Sequence, residues 1–110
     1  MKKPKKGDVF LVSLDPTIGT EINKTRPGLI VSNDVANKNS SRVIVAPITS
    51  NVTSVFPFHV YLDELKKPSK ALLNQVRAVD KRRLLKFLAG ISDQHMEEVD
   101  SAIKIVFDLE

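Results

Sequence analysis

No cysteine and no tryptophan occur among the 110 residues, and aromatic residues make up only 5% of them. Without a thiol, disulfide scaffolds, zinc ribbons and cysteine nucleophiles are excluded together. The two histidines, His59 and His95, lie far apart and form no metal-ligand spacing such as HxxxH. No apolar run reaches the ~20 residues that a membrane helix needs. The start of the chain, Met1-Lys2-Lys3-Pro4-Lys5-Lys6, is basic, but strand-like alternation follows it and not a secretory apolar segment. The expectation is a cytoplasmic protein with no membrane contact and no metal or other cofactor.

The length fits one domain, and 42% hydrophobic with 27% charged residues is ordinary for a folded chain. No repeat or shift of composition divides it, so residues 1–6 read as a basic flexible tail and 7–110 as a single domain. The net charge of +4 is unevenly placed. Residues 24–86 hold twelve Lys or Arg against four Asp or Glu, whereas residues 87–110 hold one against six. A basic middle between acidic ends is either a footprint for a polyanion or an ordinary solvated surface.

Alternation predicts a strand over Gly7 to Leu14, with Phe10, Val12 and Leu14 on one face and Val9 and Leu11 on the other. A long polar loop spans 15–26. Strands follow at Pro27 to Asn33, with Pro27 in first position, and at Arg42 to Ile48, where Pro47 marks an edge or bulge. Between them, Asp34 to Ser41 is a turn or short helix. A second polar loop at 49–55 leads to a strand over Phe56 to Leu62, and Lys66-Lys67-Pro68-Ser69 is a turn. Lys70 to Val79 holds one or two short strands, and Asp80 caps a short helix over Lys81 to Leu88. Ser92 or Asp93 caps the last helix, where Met96, Val99, Ile103 and Val106 recur on one face. The predicted fold is mainly β: a small, partly open barrel of five to seven short strands, with a short helix and a C-terminal helix.

Three collinear stretches carry a more specific signal. They are Gly7 to Glu21 with Lys24-Thr25-Arg26-Pro27-Gly28-Leu29-Ile30-Val31-Ser32-Asn33-Asp34, then Val43-Ile44-Val45-Ala46-Pro47-Ile48-Thr49-Ser50, then Leu72-Leu73-Asn74-Gln75-Val76-Arg77-Ala78-Val79-Asp80 with Lys81-Arg82-Arg83-Leu84. In this order and spacing the chain resembles the MazF/PemK toxins of bacterial toxin–antitoxin pairs, from about residue 6 to 107. The resemblance implies an SH3-like barrel, a homodimer, and metal-independent cleavage of single-stranded RNA, with messenger RNA as the expected target. It also implies a cognate antitoxin that blocks the RNA groove.

By the same resemblance Arg26 and Thr49 are the catalytic pair. A guanidinium fork suits a phosphate, and a threonine hydroxyl can donate to a phosphate oxygen. Thr20, Glu21, Lys24, Ser50, Gln75 and Arg77 are expected to bind RNA. Some relatives carry a histidine at the place of Thr20, so no histidine mechanism carries over there. Glu21 is either a proton acceptor, a reader of base edges or a solvated carboxylate. Arg77 either contacts phosphate or pairs with Asp80. Phe56 and Phe58 are assigned to core packing in preference to base stacking. His59 reads as a partly buried strand residue, and His95 as neutral or facing solvent. The alternatives are non-catalytic: a gyrase poison of the CcdB kind, a structural RNA binder, or a toxin that no longer cuts. The missing tryptophan counts against the first.

Overall fold

The computed structural model describes residues 2–14 and 25–110. The predicted loop residues Thr20, Glu21 and Lys24 lie outside them. Three apolar runs make the centre of the fold: β1 (Asp8–Ser13), β2 (Thr25–Ile30) and β3 (Arg42–Thr49). Both faces of these strands are covered. Val9, Leu29, Ala46 and Ile48 enter one core, and Phe10, Val12, Ile30, Val43 and Val45 enter another. Two-sided burial explains why the sequence runs are nearly continuous in apolar residues and not strictly alternating.

The remaining strands are β4 (His59–Leu62), β5 (Ser69–Leu72), β6 (Arg77–Asp80) and β7 (Leu84–Gly90). All pairings are antiparallel, in the order β4-β5-β3-β2-β1-β7, with β6 also on β3. Among the described residues β4 and β7 do not pair, so the sheet stays open. Helix α1 (Asp34–Asn39) is capped by Asn33, whose side chain accepts from the Ala36 N–H at 2.8 Å. Helix α2 (Asp93–Val106) is capped by Ser92, which accepts from the His95 N–H at 3.1 Å. It lays Val99 and Ala102 on the first core, with Met96, Ile103 and Val106 packed beside them, as the periodicity predicts.

Several expectations need correction. Asp80 does cap, accepting from the Arg82 N–H at 2.8 Å, but only a single 3₁₀ turn, Lys81–Arg83, follows it. Leu84 to Gly90 is strand β7, not a helix, because pairing with β1 overrides the helix-forming Leu, Lys and Arg content. Strand β4 begins at His59, later than expected. Phe56 is about half exposed, and its ring stacks on Phe58 with centroids 5.4 Å apart. The pair forms its own small surface cluster, not core.

β2 starts two residues earlier than predicted, so Pro27 is its third residue. The reason it is tolerated is positional. Val31 N–H donates to Ile44 O on β3, so odd residues of β2 direct their backbone groups toward β3. The missing N–H of Pro27 thus points to β3 just past the last pair, Gly28 with Pro47. On its other side β3 pairs with β6 up to Val45 and with β5 from Ile48, leaving Pro47 in the gap. The 3₁₀ turn Leu73–Gln75 bridges that gap. Pro27 therefore lies where the β2–β3 ladder ends, and Pro47 where β3 passes from β6 to β5.

The basic start of the chain makes defined contacts. Lys2 Nζ is 2.5 Å from Asp8 Oδ2, the Lys5 N–H donates to the same oxygen, and Lys6 Nζ lies 2.9 Å from Asp100. No helix is long and apolar enough to cross a membrane.

Candidate active site

Arg26 and Thr49 stand beside Pro27 and Pro47. β2 and β3 pair as Ile30 with Val45 and Gly28 with Pro47. That register, continued two residues, sets Arg26 opposite Thr49 on the face of the second core. Gly28 keeps this face low: a Cβ there would meet Val12 Cγ2 at 2.9 Å. Arg26 is exposed, while Thr49 is half-buried.

Two cavities meet along this pair. The smaller, about 320 Å³, runs over Val12, Gly28 and Pro47 to Gln75 and Arg77. The larger, about 540 Å³, runs over Ile48 and Ser50 to Leu65, Lys66 and Lys67. Both are bordered by Arg26, Pro27, Ile48 and Thr49, so these residues form a ridge between them. The structure thus brings together Arg26, Thr49, Ser50, Gln75 and Arg77, every predicted site residue that falls within the described segments.

Thr49 Oγ1 accepts from the Asn51 N–H at 3.2 Å. That bond orients the hydroxyl and leaves its proton to donate elsewhere. Lys70, buried and paired with Thr49 across β5, donates from Nζ to the Ser54 carbonyl. It thereby ties the loop that follows Thr49 back onto the sheet.

Arg77 does not pair with Asp80. The two sit at odd and even positions of β6 and face opposite sides. Asp80 is instead held by Arg82, whose Nε lies 3.1 Å away. The hydrogen bonds and charge of that guanidinium keep its carboxyl below the usual range. Arg77 is left facing the smaller cavity.

The larger cavity contains groups that the sequence reading missed. Glu64, on its wall, accepts from the Ser92 N–H at 2.7 Å and from His95 Nδ1 at 2.8 Å. Burial would raise the Glu64 pKa, but these bonds hold it below its ordinary value. For His95, burial acts to lower the pKa; the bond to Glu64 and the charges of Glu64, Glu98 and Asp63 outweigh it and raise it. His95 is therefore held against a carboxylate and does not face solvent. Asp63, Glu64 and His95 bring one ligand atom each within 4.8 Å of one another, yet the Glu64 oxygens are already engaged. We read the group as a clamp between the turn after β4 and the start of α2. His59, at the edge of β4, is half-buried as expected. Burial first, then the charge of Lys70, holds it below the usual histidine value.

The PemK-like, MazF-like toxins of type II toxin–antitoxin systems match residues 5–107. This chain belongs to that family. A relative of this toxin, Endoribonuclease MazF9 of Mycobacterium tuberculosis, is 36% identical over 114 residues, covering 96% of this chain and 97% of its own. Among solved structures, a MazE–MazF crystal structure from Deinococcus radiodurans superposes with TM-score 0.87 at 24% identity over the full length of both chains. An endoribonuclease in complex with its cognate antitoxin from a mycobacterial species gives 0.81 at 19% identity, covering 97% of each chain. These likenesses establish that the toxin has the MazF fold. The mainly β architecture with a C-terminal helix, expected from the sequence, is thereby confirmed.

Proposed function

We propose that this toxin is a sequence-specific endoribonuclease that cuts single-stranded RNA through its own 2′-hydroxyl groups. The observation that carries the reading is the placement of Arg26 and Thr49 on one ridge between two cavities. A phosphodiester laid across the ridge has its neighbouring nucleotides over the two cavities. Attack of the ribose 2′-oxygen on phosphorus forms one P–O bond and breaks the bond to the 5′-oxygen. The 2′-hydroxyl gives up its proton and the departing 5′-oxygen takes one up, so the products are a 2′,3′-cyclic phosphate and a 5′-hydroxyl. Negative charge builds on the phosphoryl oxygens as the bond forms. The Arg26 fork and the Thr49 hydroxyl are donors aimed at that charge, and such donors contribute most when already in place. Guanidinium groups hold their proton, so Arg26 stabilises the developing charge through hydrogen bonds and is not the base. Thr20, Glu21 and Lys24 complete the RNA-binding set in this reading, with Ser50, Gln75 and Arg77.

The same reading includes a homodimer, a cognate antitoxin and action in the cytoplasm. Support for a dimer comes from β7, an edge strand that exposes Leu85, Phe87 and Leu88. Exposed apolar edge strands are normally covered by a partner. Mass measurement of the purified chain in solution tests this part.

The deciding experiment is cleavage of a long single-stranded RNA in excess EDTA, with Arg26→Ala in parallel and product ends mapped. Discrete cuts that survive EDTA and vanish in the variant are expected, with RNA binding only modestly weakened. Cutting by Arg26→Ala at the wild-type rate overturns the site. Intact RNA that still binds wild type points to a non-catalytic toxin.

A further inference from the structure

The ridge assigns its smaller cavity to residues already expected to touch RNA, Gln75 and Arg77. The larger cavity, over which the other neighbouring nucleotide is laid, has only Ser50 so assigned. We propose that it is a second nucleotide subsite: it takes the base adjoining the scissile phosphate against Ile48 and Leu65, while Lys66 and Lys67 hold the next phosphate along the strand. The inference rests on the ribonuclease reading and adds to it the residues that grip the strand on this side.

Four features support it. The cavity is continuous with the ridge, since Arg26 and Thr49 form part of its wall. Its volume, about 540 Å³, falls within the ~300–1,000 Å³ of small-ligand pockets. Its chemistry is two-part, an apolar floor beneath a basic rim, matching a nucleotide with its flat base and anionic linkage. Both lysines are exposed, and among the described residues neither has a carboxylate in ion-pair contact, unlike Lys2 and Lys6.

The rim is also held in place. Ser69 Oγ donates to the Lys67 carbonyl at 2.9 Å, and Glu64 is fixed by Ser92 and His95. The only carboxylate lining the cavity among the described residues is Glu64, and it is turned to those partners. A pre-set wall loses little freedom when a strand arrives.

The test uses an RNA oligonucleotide spanning a mapped wild-type cut, with 2′-deoxyribose at the scissile nucleotide so that it binds without being cut. Its affinity is measured across a salt series for wild type and for the double variant Lys66→Ala/Lys67→Ala. Losing the one phosphate contact that the two lysines share should make the log–log salt slope shallower by about 0.7, the value per single-strand phosphate. With the all-ribose oligonucleotide, KM should rise about ten-fold while kcat falls less than about three-fold. A bulkier floor, Leu65→Phe, should alter base preference at one position beside the cut and nowhere else. An unchanged slope and unchanged KM in the double variant overturn the subsite. So does loss of kcat as deep as that of Arg26→Ala, because the lysines would then act at the ridge. Wild type that cuts, with Arg26 required, keeps such a failure distinct from failure of the ribonuclease reading, in which wild type leaves RNA whole.

Discussion

Arg26 and Thr49 border the same two cavities, one residue standing just before Pro27 on β2 and the other two residues after Pro47 on β3. Pro27 lacks the N–H that would carry the β2–β3 ladder past Gly28 and Pro47, and Pro47 stands between the β6 and β5 pairings of β3.

Arg26→Lys separates charge from shape. Lysine keeps the positive charge but not the planar fork that matches two phosphate oxygens. Single-turnover cleavage should fall about 10–100-fold, against about 10³-fold or more for Arg26→Ala. Equal rates for wild type and the lysine variant would show that the fork does nothing.

Thr49 should act through its hydroxyl. Thr49→Ser keeps both the acceptor for the Asn51 N–H and the proton to donate, so it should retain most activity. Thr49→Ala should lose about 100-fold in kcat without full loss, since Arg26 remains. Similar rates for Ser and Ala at this position would remove the hydroxyl from the mechanism.

Gly28→Ala should destabilise the fold by about 1–3 kcal/mol. The added carbon meets Val12 Cγ2 at 2.9 Å, and Val12 is buried and stiff at χ1. Adding Val12→Ala makes room, so the double variant should be more stable than the sum of the two single changes predicts. Denaturant unfolding of the four proteins reads this coupling, and strict additivity would show that the contact is not the cause.

The Glu64–His95 clamp should give stability a definite pH window. The His95 pKa is raised above its ordinary 6.5, so its contribution is full below that value and is lost as pH climbs through the folded-state pKa. The Glu64 pKa is lowered from 4.5, so its contribution is present above 4.5 and is lost as pH falls through the folded-state value. Between the two, His95→Ala should cost about 1.5–3 kcal/mol, the range for hydrogen bonds to charged groups. Thermal unfolding from pH 4 to 9 should show the gap between wild type and variant closing on the alkaline side. A gap that stays constant to pH 9 would mean that His95 contributes by packing alone.

The sequence was most legible where the signal is local. Caps at Asp80 and Ser92, the apolar face of α2 and the central strands could be read because each depends on residues a few positions apart. β7 was not, since Lys81 to Leu88 carries good helix formers after a good cap. Only β1, more than seventy positions away, makes it a strand. His95 was misjudged for the same reason: its partner Glu64 lies 31 residues earlier. Arg77 and Asp80 could have been separated from sequence, because three positions apart on a strand means opposite faces.

The sequence alone determined which groups exist and what chemistry they can do: a chain without thiols, a guanidinium before a proline, a threonine at a strand end, and motifs that place it among the MazF-like toxins. The tertiary structure decided what stands beside the ridge. It brought the Lys66–Lys67 turn to the Arg26–Thr49 pair and locked Glu64 onto His95. Residue type sets a side chain's charge and hydrogen bonding, which travel with the letter. Proximity between distant segments is set by strand order and by where a ladder stops, and these depend on the whole packed sheet.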